Sequence, residues 1–272
     1  MRILFFGDIM GKSGREGLAR HVPDLRARLK PDVVIANAEN AAGGFGVTDK
    51  IAREFYTLGV DCLTTGNHAW DQKELLKTID NDPKLLRPLN YPDGTPGRGS
   101  YLHVLADGRT ILIVNVMARL FMEPALDDPF AVTERFLAAH KLGQAAQAIL
   151  IDFHSEASSE KMAFAHFCDG RVSAVIGTHT HIPTADEQIL PRGTAYLSDA
   201  GMCGDYDSVI GIRKELSLWR FVKKIPGERM APAEGEATVC GAFVVTDDKT
   251  GLAVSIEPLR VGGRLRQRMP EA

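Results

Sequence analysis

The sequence predicts an α/β fold in which buried parallel strands alternate with helices, followed by antiparallel strands in the second half of the chain. Short β-branched apolar runs recur up to residue 178, and several precede a segment with helical periodicity. This alternation is typical of β–α units whose strands are covered by helices on both faces. After Asp186 the helical periodicity gives way to strands joined by turns. We expect these later strands to form a second sheet.

The predicted elements follow one another in chain order. Early strands are predicted at residues 3–6, 33–36, 62–65, 111–116, 148–153 and 172–178. Helices are predicted at residues 15–29, 49–58, 72–79, 130–142 and 156–168. Later strands are predicted at residues 188–190, 194–197, 239–246 and 253–258, with a hairpin turn around Asp247 to Gly251. Residues 83–99, rich in Pro and Gly, predict a long connection, with a lid as the alternative.

Length, composition and charge narrow the class of protein. The 272 residues, 44% hydrophobic and 25% charged, predict a single globular domain over residues 1–272, with a flexible tail at 262–272. A formal net charge of −3 argues against extended duplex nucleic acid and anionic membranes as partners. No apolar run approaches the roughly 20 residues that span a bilayer. Met1 leads directly into a strand-like segment without a signal-peptide pattern, so we expect a cytoplasmic protein.

The four cysteines are widely separated and form no C-x-x-C pair. In a chain without a secretion pattern, Cys62, Cys168, Cys203 and Cys240 are predicted to be reduced and structural rather than disulfide-bonded. Cys203 lies in a glycine-rich segment, so lining a pocket is an alternative role for it.

Metal-competent side chains follow five of the predicted strands, at the end of each. In chain order they are Asp8, then Glu39 and Asn40, then Asn67 and His68, then His154, and finally His179 and His181. In an open α/β sheet, the carboxyl ends of the strands form the edge where ligands bind. The pattern therefore predicts a metal site at this edge.

The mixture of residue types favours a dinuclear site. Carboxylates let two divalent cations approach within about 4 Å, and one carboxylate can bridge both. Imidazoles and amide oxygens complete the coordination without neutralising the metals. Two dications set against Asp8, Glu39 and a bridging hydroxide leave a charge of roughly +1, which predicts a phosphate anion as the ligand.

The H-x-H pair His179 and His181 is the strongest local signal. In extended backbone, residues i and i+2 point to the same side, so both imidazoles can face one metal cluster. Each candidate residue also has a plainer interpretation. The two histidines could be surface loop residues, Asp8 could cap a helix, and Glu39 could belong to a turn. Asn67 could occupy a position with positive φ, and His154 could be a core histidine. The remaining histidines, His21, His103, His140 and His166, are predicted to lie in packing or on the surface.

Five segments together resemble a known family. GDIMGKSGR, NAENAAGG, TTGNHAWD, DFHSEASSEK and GTHTHIPTAD are similar, in order and spacing, to the blocks of the calcineurin-like metallophosphoesterases and, more closely, of the bacterial YmdB family. The similarity extends from Met1 to about Leu259. It implies a four-layer α/β/β/α sandwich of the metallo-dependent phosphatase type with mixed sheets. It also implies a dinuclear, iron-containing centre and 2′,3′-cyclic nucleotide phosphodiesterase activity, with manganese or zinc as alternative metals.

The resemblance also implies a role for each site residue. Asp8, Asn40 and His181 would bind one metal, Asn67, His154 and His179 would bind the other, and Glu39 would bridge the two. His68 would be the catalytic proton donor. Met10 stands where the broader superfamily has a histidine ligand, and Asn40 would fill that gap.

The resulting hypothesis is hydrolysis of a small phosphodiester or cyclic nucleotide by a metal-bridging hydroxide, with His68 protonating the leaving oxygen. Two alternatives stay open. One is a regulatory protein that binds a nucleotide or RNA end and hydrolyses it only incidentally. The other is a phosphomonoesterase that uses the same metals. The sequence also leaves open a homo-oligomer.

Overall fold

Two mixed β-sheets pack face to face in the computed structural model, which describes residues 1–271. The strands are β1 (Arg2–Phe6), β2 (Asp8–Ile9), β3 (Val33–Asn37), β4 (Cys62–Thr64), β5 (Ser100–Val104), β6 (Thr110–Met117), β7 (Ala148–His154), β8 (Ala174–Thr178), β9 (Gln188–Ile189), β10 (Ala195–Leu197), β11 (Met202–Asp205), β12 (Ala237–Thr246) and β13 (Ala253–Val261). The helices are α1 (Gly11–Leu29), α2 (Asp49–Thr57), α3 (Leu75–Thr78), α4 (Pro129–Ala139), α5 (Ser158–Cys168) and α6 (Lys214–Lys223), with a 3-10 turn at Ile79–Asn81. Within residues 1–271, no helix has both the length and the apolar character that crossing a bilayer requires.

The first sheet has the strand order β2-β11-β12-β1-β3-β4, and β13 also pairs with β12. Its strands β1, β3 and β4 run parallel, whereas β12 runs antiparallel to β1. The second sheet has the order β5-β6-β7-β8-β10-β9 and is parallel from β6 through β10. The carboxyl ends of β1, β3 and β4 in one sheet and of β7 and β8 in the other supply the site.

The prediction that the late strands form a second sheet holds for β9 and β10 but is wrong for β12 and β13. In the first sheet β12 pairs with β1 and β13 pairs with β12, whereas the second sheet is built mainly from the middle of the chain. The physical reason is that an apolar pattern defines which faces of a strand are buried, not which strand lies beside it.

Alternate residues of the strands define four layers. Ile3 and Phe5 of β1 lie in an apolar cluster with residues of β6, β7 and β8, between the two sheets. Leu4 and Phe6 point the other way and pack with α1 and α2. On the outer face of the second sheet, Phe153 of β7 stacks on Phe164 of α5, with ring centroids 3.9 Å apart. The α/β/β/α sandwich with mixed sheets is therefore confirmed.

Two differences from the predicted helices have local causes. Helix α1 begins at Gly11 rather than residue 15, because its glycines permit close packing: a Cβ at Gly14 would lie 2.1 Å from the carbonyl oxygen of Cys203. Helix α6 is absent from the predicted elements. Only Ser217 of α6 is buried, so the helix lacks the apolar stripe facing a core that makes helices recognisable in sequence.

All four cysteines are free and buried, as predicted. Cys203 does not line a pocket: it lies in the cluster between the first sheet and its helices, with its thiol 3.3 Å from the carbonyl oxygen of Cys240.

The segment predicted as a flexible tail is tied to β13. Arg260 and Arg268 exchange two backbone hydrogen bonds of 2.8 Å, and Met269 packs against the first sheet's outer cluster. These contacts fix residues that lack any strand or helix pattern in the sequence. Ala272, the last residue of the predicted tail, lies outside the described residues. The single-domain organisation over residues 1–272 stays a prediction.

The connection at residues 83–99 is organised around one buried arginine. The Arg87 guanidinium is directed at five backbone carbonyl oxygens of this segment, those of Pro88, Leu89, Thr95, Pro96 and Gly97, at 2.9 to 3.5 Å. A single side chain thus replaces the hydrogen bonds that a regular element would provide.

We expect Arg87→Met to lower the free energy of unfolding by about 2–3 kcal/mol, because buried carbonyls would lose a charged donor. Urea denaturation measures this change. Arg98→Met is the matched control, since Arg98 lies exposed in the same connection; we expect its effect to stay within about 0.5 kcal/mol. Equal effects of the two substitutions would contradict the assignment.

Candidate metal centre

The structure brings all eight predicted site residues to the edge shared by the two sheets. Asp8 lies in β2, which follows β1 after one residue; Glu39 and Asn40 follow β3; Asn67 and His68 follow β4; His154 ends β7; and His179 and His181 follow β8. Asp8, Glu39 and His154 are at most 1% exposed. These three ionisable side chains are therefore shielded from solvent.

One group of atoms converges on the Nε2 atom of His154. Glu39 Oε1 lies 3.1 Å from this nitrogen, Asn67 Oδ1 3.0 Å and His179 Nδ1 3.1 Å. The ligand atoms of Glu39, His154 and His179 all lie within 4.8 Å of one another. A single ring nitrogen has at most one proton and cannot satisfy three such neighbours, whereas a cation at the centre of the group can.

A second group surrounds His181. Its Nε2 atom lies 3.3 Å from Asn40 Oδ1 and 3.9 Å from Asp8 Oδ1. Within residues 1–271, that Asp8 oxygen has no hydrogen-bond partner, although the side chain is fully buried. A buried carboxylate oxygen is costly without a partner, and a divalent cation is the partner that this nitrogen and oxygen set suits. The residues of the two groups therefore fit the binding of a divalent cation.

The outward-facing nitrogen of each histidine has an oxygen acceptor. His154 Nδ1 donates to Thr178 Oγ1 at 2.8 Å and His181 Nδ1 to the carbonyl of Ile210 at 2.7 Å. His179 Nε2 lies 3.2 Å from Glu156 Oε2. In the neutral ring, each of these contacts places the proton on the outward nitrogen and leaves the inward lone pair facing the centre. Metal-binding histidines are oriented by such contacts.

The contact behind His154 continues into a buried network. Thr178 Oγ1 donates to Asp152 Oδ1 at 2.6 Å, so it must accept the proton of His154. Asn37 Nδ2 and the hydroxyl of Thr64 donate to the other oxygen of Asp152. Both sheets thus contribute to holding one imidazole.

The sequence reasoning assumed an extended backbone for the H-x-H pair, but the structure shows a different conformation. His179 has a φ of 101° and His181 a φ of 67°, both in the left-handed region. The amide of His179 donates to Asp8 Oδ2 at 3.1 Å, and Asp199 accepts from both the amide and the hydroxyl of Thr180. These bonds, rather than strand geometry, direct the two rings to the same centre. Strain of this kind persists only where surrounding structure imposes it.

A buried ion pair supports this loop from behind. Lys161 Nζ lies 2.8 Å from Asp199 Oδ2 and also donates to the carbonyl of Thr178, and both charged side chains are at most 2% exposed. Asp199 therefore links α5 to the backbone that presents His179 and His181.

Gly66, directly before Asn67, leaves room for the centre. A Cβ at this position would lie 2.3 Å from His154 Nε2 and 2.4 Å from Glu39 Oε2. Any side chain there would occupy the space between the ligands, so the glycine is required for the approach of β4 to the opposite sheet.

His68 lies beside the converging ligands but stays more accessible than they are. Its ring is 28% exposed, and its Nδ1 lies 2.8 Å from Asp71 Oδ2. Its amide donates to Glu39 Oε2 at 3.3 Å, and its ring packs against the edge of Phe45. With Nδ1 bound to a carboxylate, Nε2 is free to exchange a proton with a ligand.

The charges of the centre affect one another's protonation. Burial opposes the charge on Glu39, but the nearby imidazoles, led by His154, outweigh it and lower its pKa. Burial also opposes the charge on His154, yet Glu39 and Asp8 raise its pKa. Burial raises the pKa of Asp8 against the attraction of the imidazoles. A cation that binds His154 must displace its proton, so metal affinity increases with pH.

Several plainer readings of the site residues are not what the structure shows. Helix α1 has Met10 at its N-cap, so Asp8 does not cap it. Asn67 is not among the residues with positive φ. The histidines outside the predicted set lie in α1, β5 and α5 and at the end of α4, away from the centre.

Sequence reasoning missed the residues that hold the ligands. Asp152 precedes His154 by two residues on β7 and points to the same side, which is a spacing that could have indicated a partner. Glu156 and the pair of Lys161 with Asp199 carry no comparable local signal, because their contacts depend on tertiary structure.

Known proteins resemble this chain over nearly its whole length. A family profile described as YmdB-like protein matches residues 4–259. A Bacillus subtilis protein named 2′,3′-cyclic-nucleotide 2′-phosphodiesterase is 45% identical over 261 residues, covering 96% of this chain and 97% of that protein. A crystal structure of a hypothetical protein from Thermus thermophilus superimposes with a TM-score of 0.89 at 43% identity, covering 97% and 100% of the two chains. A structure titled as a novel phosphatase from Mycoplasma pneumoniae has a TM-score of 0.89 at 33% identity, covering 96% and 93%.

We expect Lys161→Met to destabilise the metal-free protein by about 3–5 kcal/mol, because it leaves Asp199 charged and unpaired in the interior. Chemical denaturation after treatment with a chelator measures this change without a contribution from bound metal. Lys214→Met removes an exposed ion pair with Asp207 and serves as the control, and its effect on stability should be far smaller than that of Lys161→Met. A loss for Lys161→Met as small as that of the control would show that Asp199 does not need its partner.

Proposed function

The chain belongs to the YmdB-like protein family, and on that premise we propose that it is a metal-dependent phosphodiesterase acting on 2′,3′-cyclic nucleotides or related small phosphodiesters. One observation carries the proposal: three histidines each place one ring nitrogen towards two buried carboxylates, while the other ring nitrogen of each lies beside an oxygen. The name of the Bacillus subtilis relative and the Mycoplasma phosphatase structure support the class of reaction.

The two groups of atoms divide the ligands between two cations. His181, Asn40 and Asp8 would hold one ion. His154, His179 and Asn67 would hold the other, with Glu39 bridging. Nitrogen and oxygen donors without a thiolate suit iron, manganese or zinc. Iron is the metal that we propose, on the family resemblance alone.

When bound, the cations supply Lewis acidity, lowering the pKa of a coordinated water and offsetting the charge of the phosphate. The chain's own residues do the rest. His68, whose Nδ1 is held by Asp71, would deliver the proton on its Nε2 to the leaving oxygen. Because the amide of His68 is bonded to Glu39, the proton donor is fixed relative to the ligand set. This arrangement makes geometry, rather than covalent chemistry, the main contribution of the protein.

Glu39→Gln should prevent loading of the metal pair, since it removes the bridging charge and the partner of His154. We expect elemental analysis to find about two metal ions per wild-type chain and less than one in the variant, in line with a two-metal site. Addition of Mn²⁺ should raise the melting temperature of the wild type and not of the variant. Glu54→Gln, which alters an exposed ion pair, is the control and should load like the wild type. Full loading of Glu39→Gln would remove Glu39 from the centre.

His68→Ala should keep its metal and lose turnover of adenosine 2′,3′-cyclic phosphate by a factor of about 10² to 10⁴. Asp71→Asn should show a smaller loss, because the ring remains but its orientation weakens. His140→Ala, at the end of α4, is the control. Wild-type turnover in His68→Ala would exclude it as the proton donor. Faster hydrolysis of a nucleoside monophosphate than of the cyclic ester would favour a phosphomonoesterase instead.

A further inference from the structure

The proposed metal ligands form only one wall of a cavity of about 690 Å³. This wall consists of the proposed ligands Glu39, Asn40, His179 and His181, together with the proposed proton donor His68. A volume of this size lies within the roughly 300–1,000 Å³ of pockets that hold small organic ligands. It is more than a phosphate group and two cations require, so the cavity has room for a further part of the substrate.

Most of the other residues that line the cavity are apolar. Met10, Phe45, Val209, Ile210, Ile212 and Phe221 are among its lining residues. Such a surface offers nothing to a charged phosphate, which prefers donors and cations. It is suited to a flat apolar group, and nucleobases stack on aromatic side chains whatever their identity.

Two phenylalanines reach the cavity from different elements. Phe45 lies in the loop that follows the ligands Glu39 and Asn40, and its ring centroid is 5.2 Å from that of His68. Phe221 lies on α6 and is 75% exposed. A phenylalanine side chain is more often buried. Residues 208–212, which lead into α6, are joined to the metal wall by the hydrogen bond from His181 to the carbonyl of Ile210.

We propose that Phe45 and Phe221 form a subsite for the nucleobase of the substrate, an inference that rests on the proposed function. The phosphodiester lies at the ligand wall and the base lies against the apolar wall. Arg220, beside Phe221, also lines the cavity, and within residues 1–271 its guanidinium makes no ion pair or side-chain hydrogen bond. It provides donors for the polar edge of the base. The site therefore selects nucleoside phosphodiesters over small diesters that lack a base.

Kinetics with a matched pair of substrates tests this subsite. Adenosine 2′,3′-cyclic phosphate is compared with the 2′,3′-cyclic phosphate of methyl riboside, which has the same ester and no base. We expect the wild type to favour the adenosine substrate, and Phe221→Ala to lower the ratio of the two kcat/KM values about tenfold, the equivalent of ~1.4 kcal/mol of stacking. We expect the lower ratio to result from a change in the KM for the adenosine substrate. Phe45→Leu, which keeps an apolar side chain next to His68, should lower the ratio in the same direction.

Val222→Ala is the control, because Val222 neighbours Phe221 on α6, is 70% exposed and does not line the cavity. It should keep the wild-type ratio. A wild-type ratio near one, or an unchanged ratio in Phe221→Ala, would overturn the subsite.

Binding separates failure of the subsite from failure of the proposed function. Calorimetry with metal-loaded protein compares adenosine 3′-monophosphate with methyl riboside 3-phosphate and requires no turnover. If the wild type hydrolyses no diester but binds the adenosine compound about tenfold more tightly, with Phe221→Ala removing the preference, the subsite stands and the phosphodiesterase proposal fails. Equal binding of both compounds by the wild type would overturn the subsite even where hydrolysis is observed.

Discussion

The burial of two carboxylates, Asp8 and Glu39, is the constraint on which the rest of the sheet edge depends. Neither side chain is more than 1% exposed, so water cannot offset their charge. Each is instead surrounded by imidazole and amide groups from strands of both sheets. The two sheets cannot separate or shift along one another without leaving these charges unpaired in the interior. The same packing that stabilises the sandwich therefore fixes the distances between the proposed ligands.

Orientation of the ligands is achieved by a surrounding shell of hydrogen bonds rather than by rigid strands alone. Thr178 and Asp152 hold His154 from within the second sheet, the carbonyl of Ile210 holds His181, and Glu156 holds His179. These partners come from three separate parts of the chain. Because each determines which ring nitrogen is protonated, loss of one changes the chemistry of a ligand without removing it. The site is thus a property of the whole edge.

The sequence predicts which residues meet, and the structure explains how. Asp8, Glu39, Asn67 and His154 could be placed because each lies at or shortly after the carboxyl end of a buried strand, and parallel strands align these ends. The geometry of His179 and His181 could not be predicted, since their left-handed backbone is imposed by Asp8 and Asp199 from distant positions. Strand partners were likewise beyond sequence reasoning, as the apolar pattern of β12 is the same whichever sheet it joins. Helix α6 escaped prediction because it packs little of its surface against the core.

The limited packing of α6 against the core distinguishes the two walls of the cavity. The ligand wall belongs to residues at the β-strand ends, where Glu39, Asn40 and His181 are buried, and its geometry is fixed by the cost of moving charges. The apolar wall comes largely from α6 and the loops at residues 40–46 and 208–212, where Phe221 and Ile210 are more than half exposed. Elements with few buried contacts open and shift at low free-energy cost. A rigid centre facing an adaptable wall holds the phosphodiester in one position while accommodating bases of different size. On this division of roles, substitutions in the strand ends would abolish chemistry, whereas substitutions in α6 would change which substrate is preferred.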